Sequence, residues 1–177
     1  MDAARAVTRR HRQTSAFRAT GLRLWAHCGS SGRFEVSVCV GTDALVPVCA
    51  GDEEGRPVFT LGQKSSGDVP VLQYSTDSGI GRITRAVLGQ RLALLETHVV
   101  VTAHLASVLR SMSIDGRGIA WLPLTLIEED LASGRLVRAS PDGSFDIPTE
   151  IRLYRSTVPA GKAGEAFWSA VLAHGSI

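Results

Sequence analysis

Residues 112–123 read MSIDGRGIAWLP, and this order of residue types decides the fold class. The glycines of Asp115–Gly118 favour the left-handed conformation that ends a helix. Ile119 to Leu122 is an unbroken apolar run, as in a strand that is buried on both faces. Pro123 is suited to the first turn of a further helix. The two flanking helices carry apolar stripes with helical spacing: Leu105, Val108, Leu109 and Met112 in the first, and Leu124, Ile127 and Leu131 in the second.

The same alternation of strand and helix continues on both sides of this stretch. Val69 to Tyr74 predicts a strand, and Ser75–Ser78 offers several N-caps for a helix that runs to about Gly89. Residues 92–101 end in a buried strand, Val99–Val101. Gly134 ends the helix that Pro123 opens. Two short strands follow (Leu136–Val137 and Ile151–Tyr154), and then a terminal helix whose predicted inward stripe is Ala163, Ala166, Phe167, Ala170 and Val171. This order predicts an α/β fold with a parallel or mixed sheet.

Extended structure also precedes residue 69. Residues 34–40 alternate between apolar and polar side chains, which predicts a half-buried strand. We expect a turn at Gly41–Asp43 and a second extended run over Leu45–Ala50. Because proline cannot donate a hydrogen bond to a neighbouring strand, Pro47 favours an edge or crossover strand.

The 177 residues carry a formal net charge of +2, which is unevenly distributed. Residues 1–33 contain seven arginines and a single acid, Asp2, so their net charge is +6, while residues 34–177 sum to −4. Such a basic segment is typical either of an arm that grips nucleic-acid phosphates or of a disordered leader. Since residues 1–33 lack an apolar stripe that could dock them, we expect a basic, disordered leader.

Several classes of protein are disfavoured by what the sequence lacks. No apolar run reaches the roughly 18–20 residues of a membrane helix, and no apolar region of a signal peptide follows the N-terminal positive charges. The three cysteines, Cys28, Cys39 and Cys49, form no CxxC pair, so we expect a reducing, cytoplasmic location. The five histidines show no zinc-ligand spacing, and no P-loop or complete GxGxxG occurs, so we expect neither a metal nor a cofactor.

Two junctions between a strand and a helix remain as candidate binding sites. They are Ser75–Ser78 and Thr102–His104. Helix N-termini present free N–H groups that favour anions, and parallel neighbouring strands would bring both junctions to one sheet edge. Ser75 and Thr102 could then clasp one carboxylate, with Asp77 facing away or capping the helix, or both could be ordinary helix caps.

Two further sets of residues have both a chemical and a structural interpretation. His104 or Cys49 could serve a small α/β enzyme, although a small, apolar, buried role is the more common one for a cysteine such as Cys49. The triplet Glu128, Glu129 and Asp130 could form an acidic cluster, but on a helix we expect it to be a solvated face.

The stretch 112–123, followed by residues 128–137 (EEDLASGRLV), resembles the effector-binding domain of LysR-type transcriptional regulators. Asp43 to Val48 and Ile151 to Arg155 resemble the two crossover strands of that domain, and the helix from Ala163 resembles its closing helix. The resemblance covers residues 34–173. Residues 69–75 (VPVLQYS), together with Gly81-Arg82, are similar to a hypochlorite-responsive branch of the family.

The resemblance implies a periplasmic-binding-protein-like type 2 fold, in which two α/β subdomains enclose a cleft. It implies that residues 46–152 form a nearly complete second subdomain, and that residues 34–45 and 153–177 are the remnant of a truncated first one. Ser75, Thr76, Thr102 and His104 match positions that bind the effector. Pro47 and Tyr154 lie on the crossovers that would act as hinges.

The function implied is that of a bacterial, cytoplasmic regulator domain, not an enzyme, which senses a small anion such as a carboxylate, or an oxidant. A homo-oligomer is expected, and DNA would be contacted only through a winged helix-turn-helix that residues 1–33 do not match. Met1 and Met112 are the only methionines available for oxidation, and Met112 lies on an apolar stripe. A free-standing solute-binding module is a further alternative.

Overall fold

The computed structural model describes residues 22–26, 36–62, 68–155 and 161–174, and for residues 22–26 only the backbone. The strands are β1 (Leu22–Ala26), β2 (Val36–Ala50), β3 (Val69–Tyr74), β4 (Thr97–Ala103), β5 (Ile119–Pro123), β6 (Leu136–Arg138) and β7 (Ile147–Arg155). The helices are α1 (Gly79–Ala93), α2 (Ala106–Ile114), α3 (Leu124–Ala132) and α4 (Gly161–His174). The predicted α/β fold is therefore confirmed, and the helix–strand–helix order of α2, β5 and α3 follows the prediction closely.

Within the described residues, the strands form one mixed, seven-stranded sheet in the order β1-β7-β2-β5-β3-β4, with β6 paired to β2. The pairs β3–β4 and β3–β5 are parallel, whereas β2 is antiparallel to β5, β6 and β7. The carboxyl ends of β3, β4 and β5 therefore lie at one edge, where α1, α2 and α3 begin.

The turn expected at Gly41–Asp43 is wrong, because β2 is continuous from Val36 to Ala50. The register of β2 against β7 shifts between Cys39 and Gly41. A β-bulge accommodates this shift, and pairing with β7 keeps the chain extended. Glycine and aspartate favour turns only when no neighbouring strand supplies a better set of hydrogen bonds.

Pro47 lies in the interior of the sheet, so the edge-strand interpretation is wrong and the crossover interpretation agrees with its position. β2 pairs with β7 up to Leu45 and with β6 from Val48 onward. The Pro47 carbonyl accepts a hydrogen bond from Ala139 N at 2.9 Å. In an antiparallel strand, the N–H and C=O of one residue point toward the same neighbouring strand. Pro47 has no N–H, and it lies between the part of β2 that pairs with β7 and the part that pairs with β6.

Two apolar clusters cover the two faces of the sheet. One contains Val69 and Val71 of β3 with Ile83 and Leu88 of α1. The other contains Leu72 and Tyr74 of β3 with residues of α2 and α3, namely Leu109 and Ile127. The alternation along β3 matches the two-residue period of a strand, and it places α1 on the face opposite α2 and α3.

Three predicted details differ from the structure near the sheet edges. β4 is an edge strand, so Val99 and Val100 are 52% and 45% exposed and the buried-strand prediction is wrong. α4 buries Trp168 and leaves Phe167 52% exposed, so its inward stripe is shifted by one residue. Leu105 and Val108 of the predicted α2 stripe are also exposed, whereas Leu109 is fully buried.

Part of the predicted leader is a strand. Leu22–Ala26 pairs antiparallel with Ile151–Arg155 of β7, so these five residues do not form a disordered leader. The other residues of the predicted leader, Met1 and Cys28 among them, lie outside the described residues, as do Phe34 and Glu35.

Candidate functional site

The two predicted junctions meet at the carboxyl edge of β3 and β4. The hydroxyl oxygen of Ser75 lies 2.8 Å from Nδ1 of His104, a distance typical of a hydrogen bond. Ser75 N also donates to the carbonyl oxygen of Ala103 at 3.0 Å. Parallel pairing of Tyr74 with Ala103 sets this arrangement, because the residues that follow each strand end side by side. Ser75 is half-buried and His104 is exposed, so the pair faces solvent at the edge.

The N-terminus of α1 is organised by Ser78 rather than by Ser75. The Ser78 hydroxyl accepts a hydrogen bond from Gly81 N at 2.8 Å, which makes Ser78 the N-cap. Thr76 and Asp77 form the exposed turn before it. The cap therefore leaves the Ser75 and Thr76 hydroxyls available for other partners.

Gly81 permits the close packing of α1 against the end of β3. A Cβ at Gly81 would overlap the carbonyl oxygen of Ser75 and lie 3.0 Å from Cβ of Tyr74. Gly81 therefore has a local packing role.

Thr102 does not cap α2, so that prediction is wrong. It is exposed and lies within β4, where it pairs with Gln73. The N-cap of α2 is Leu105, which supplies no side-chain hydrogen bond. The strand continues to Ala103 because its register with β3 extends that far. As a result the first N–H groups of α2, next to His104, receive no side-chain cap.

The N-terminus of α3 is contacted by a residue that is distant in sequence. Oδ2 of Asp43, on β2, accepts a hydrogen bond from the Thr125 hydroxyl at 2.7 Å, and Oδ1 lies 3.4 Å from Thr125 N. Asp43 thus fixes β2 to the start of α3. Sequence analysis missed this contact because 82 residues separate the partners.

The two predicted hinge residues occupy different environments. Pro47 is fully buried in β2 opposite Trp121. Tyr154 is half-buried in β7 between Ser37 of β2 and Arg23 of β1. Pro47 lies on the part of β2 that pairs with β5, whereas Tyr154 lies on the part of β7 that pairs with β1 and β2.

Cys49 and Asp130, for which the sequence also allowed a chemical role, have structural roles. The Cys49 thiol is fully buried and donates to the carbonyl oxygen of Phe59 at 3.3 Å. Burial raises the pKa of this thiol, which disfavours the nucleophilic thiolate. Asp130 is also fully buried, so its expected place on a solvated face is wrong, whereas Glu128 and Glu129 are exposed as expected.

The described part of the chain contains no group of three or more His, Cys, Asp or Glu side chains placed to hold a metal ion. None of its helices is both long and apolar enough to cross a membrane.

The chain is similar to proteins of known class. Its sequence is 35% identical over 124 residues to HTH-type transcriptional regulator YjiE of Escherichia coli K12, covering 70% of this chain and 39% of YjiE. The same identity and length relate it to the HTH domain-truncated transcriptional regulator QseD of Escherichia coli O157:H7, covering 49% of that protein. The chain thus spans less than half of either curated relative.

Its fold is similar to that of solved regulatory domains. The apo regulatory domain of HypT from Salmonella typhimurium superposes with a TM-score of 0.74 at 28% identity, covering 86% of this chain and 71% of that one. The full-length HypT structure, described as a hypochlorite-specific LysR-type transcriptional regulator, gives 0.73 at 29% identity, covering 85% and 50%. Residues 33–176 match the family described as LysR substrate binding domain. The chain therefore belongs to the LysR substrate-binding domain family, the effector-binding part of LysR-type transcriptional regulators.

Proposed function

We propose that this domain senses a small anion at the edge formed by Ser75, Thr76, Thr102 and His104. The observation that carries the proposal is the 2.8 Å contact between the Ser75 hydroxyl and Nδ1 of His104. It joins two strand-to-helix junctions that are 29 residues apart in sequence. In open α/β sheets, ligands bind outside the carboxyl ends of the strands, which is where these residues lie.

The groups at this edge favour a negatively charged ligand. The Ser75 and Thr76 hydroxyls are donors, and a protonated His104 donates from both ring nitrogens. The α2 N-terminus beside His104 has no side-chain cap, so its N–H groups add donors and a positive partial charge. Thr102 precedes His104 by two residues, on β4, and we propose that it lies at the outer rim of the site.

This chemistry and a similar structure both support an anionic ligand. One structure of the HypT regulatory domain contains a bound bromide ion. A halide, a small carboxylate or an anion derived from an oxidant would each suit the same set of hydroxyl, imidazole and N–H donors. We propose that this chain recognises a ligand of that class.

Binding would regulate transcription through a change of conformation. We propose that residues 46–152 act as one subdomain and that residues 34–45 and 153–177 belong to the other, with Pro47 and Tyr154 on the connecting strands. An anion that binds one arrangement of the two more tightly shifts the equilibrium toward it. DNA would be bound by a winged helix-turn-helix, in a cytoplasmic oligomer of the kind that LysR-type regulators form.

The test is a titration of the chain with sodium bromide and, separately, sodium acetate, followed by amide chemical shifts. We expect saturable shifts at Ser75, Thr76 and the first residues of α2. Ser75→Ala and His104→Ala should each weaken binding by about tenfold, the effect of losing one hydrogen bond to a charged group.

Ser111→Ala is the control, because Ser111 is an exposed serine that lies further along α2, where it donates to the Ser107 carbonyl. It should leave the affinity unchanged. Equal affinity in the parent, Ser75→Ala and His104→Ala proteins, with all three folded, would refute the proposed site.

A further inference from the structure

The exposed side of α1 carries an unusual concentration of positive charge. Residues 79–93 contain three arginines and no acid, and Arg82 and Arg85 lie one turn apart near the N-terminus. This end of a helix already has a positive partial charge, and acidic side chains stabilise it. Two arginines there are locally unfavourable unless an anion compensates them. Departures from local preference of this kind are expected at functional sites.

Neither guanidinium is neutralised by a carboxylate among the described residues. Nη1 of Arg82 donates to the backbone carbonyl of Asp77 at 2.9 Å, and Nη2 of Arg85 donates to the carbonyl of Gly81 at 3.2 Å. Each contact uses a single N–H of a group that has five. Other arginines of the structure are paired with acids: Arg56, Arg110, Arg135, Arg138, Arg152 and Arg155.

The two backbone contacts hold the arginines around a common space. A surface depression of about 350 Å³ is lined by Thr76, Arg82, Arg85 and Ala86. The depression is shallow and open to solvent, so an anion there would contact the protein on one side only. The Thr76 hydroxyl supplies a third donor on the wall that adjoins the β3–α1 turn.

We propose that Thr76, Arg82 and Arg85 form a second anion-binding site, which takes a phosphate or the phosphoryl group of a phosphate monoester. Two guanidinium groups match a dianionic oxyanion in charge, and each can donate two parallel N–H bonds to its oxygens. The site lies on the α1 side of the β3–α1 turn and requires neither Ser75 nor His104, so it goes beyond the anion site proposed above.

The test is a titration of the chain with inorganic phosphate near pH 7, at constant ionic strength maintained with sodium chloride. The readout is the dissociation constant from amide shifts of Thr76 and α1. We expect saturable binding to the parent protein, and affinity at least about tenfold lower in the Arg82→Gln/Arg85→Gln variant. The Arg82→Lys/Arg85→Lys variant should fall between them, because lysine keeps the charge but loses the two-pronged donor geometry.

One control makes the result specific. Arg117→Gln removes an exposed arginine in the turn after α2 and should leave phosphate affinity unchanged. The proposal is overturned if phosphate shifts do not saturate, if the double glutamine variant keeps the parent affinity while folded, or if Arg117→Gln loses as much affinity. Failure of the bromide and acetate titrations alone would refute only the first site.

Discussion

Nη2 of Arg110, on α2, donates to the Oδ1 atom of Asp130, on α3, at 2.8 Å. The Asp130 carboxylate is fully buried, and its Oδ1 atom also lies 2.7 Å from Nη2 of Arg135. The two arginine side chains remain 30% and 52% exposed. The hydrogen bonds that Arg110 donates to Asp130 raise the pKa of Arg110 further above its usual value, so the guanidinium stays charged. This cluster joins α2, α3 and the residue that precedes β6.

Loss of the buried carboxylate should destabilise the domain. We expect Asp130→Ala to lower the free energy of unfolding by about 3 kcal/mol, the lower end for a broken buried ion pair, because both arginines can still reach water. Urea denaturation measures this change. Glu128→Ala and Glu129→Ala, on the exposed face of the same helix, should alter stability by less than about 0.5 kcal/mol. A small effect of all three substitutions would mean that the cluster does not stabilise the fold.

A methyl group at Gly81 should disturb the start of α1, whereas one at Gly79 should not. A Cβ at Gly81 overlaps the Ser75 carbonyl oxygen and comes within 2.8 Å of the Ser78 hydroxyl, while a Cβ at Gly79 meets nothing within 4 Å. We expect Gly81→Ala to cost about 1–3 kcal/mol in the free energy of unfolding and to weaken bromide binding. Gly79→Ala should raise stability by up to about 1 kcal/mol. Thermal unfolding compares the two, and equal behaviour would contradict the close approach of α1 to β3.

Tyr74 should tolerate the loss of its hydroxyl. Its side chain is 3% exposed, and the hydroxyl has no hydrogen-bond partner among the described residues. Because a buried hydroxyl without a partner carries a desolvation penalty, Tyr74→Phe should leave the free energy of unfolding unchanged or raise it by up to about 1 kcal/mol. A loss of more than 1 kcal/mol would indicate a partner for this hydroxyl.

The same variant tests the pH dependence of stability. Burial raises the pKa of Tyr74 above its usual value of 10.0. The folded state therefore holds the phenolic proton more tightly than the unfolded state. This difference contributes to the free energy of unfolding in full below pH 10, and the contribution is lost as the pH rises above 10. Urea denaturation between pH 8 and 11 should show a shallower loss of stability in Tyr74→Phe than in the parent. The Cys49 thiol contributes to both proteins alike and cancels in the comparison.

Much of the region from α2 to β6 could be predicted from local sequence. Gly116 and Gly134 adopt positive φ angles of 71° and 74° at the ends of α2 and α3, as their positions after apolar helical stripes indicate. The apolar run of β5 is buried from Ile119 to Leu122. These features depend on neighbours within a few residues, so periodicity and glycine chemistry are sufficient to predict them.

Features that depend on long-range pairing could not be obtained in this way. β7 carries β2 through Gly41–Asp43 without a turn, and the position of β4 at the sheet edge exposes Val99 and Val100. The burial of Asp130 depends on two arginines, one of them 20 residues earlier on another helix. In each case, contacts with residues that are distant in sequence give the residue an environment that the local pattern does not predict.

The candidate site shows the same division. Sequence alone determined that hydroxyl and imidazole side chains follow two strands of an α/β fold, since strand ends and residue types are local properties. Only the tertiary structure decided that Ser75 contacts His104, that Ser78 caps α1, and that Thr102 remains in β4. The physical reason is the parallel register of β3 and β4, which pairs Tyr74 with Ala103 and so fixes which of the following side chains meet.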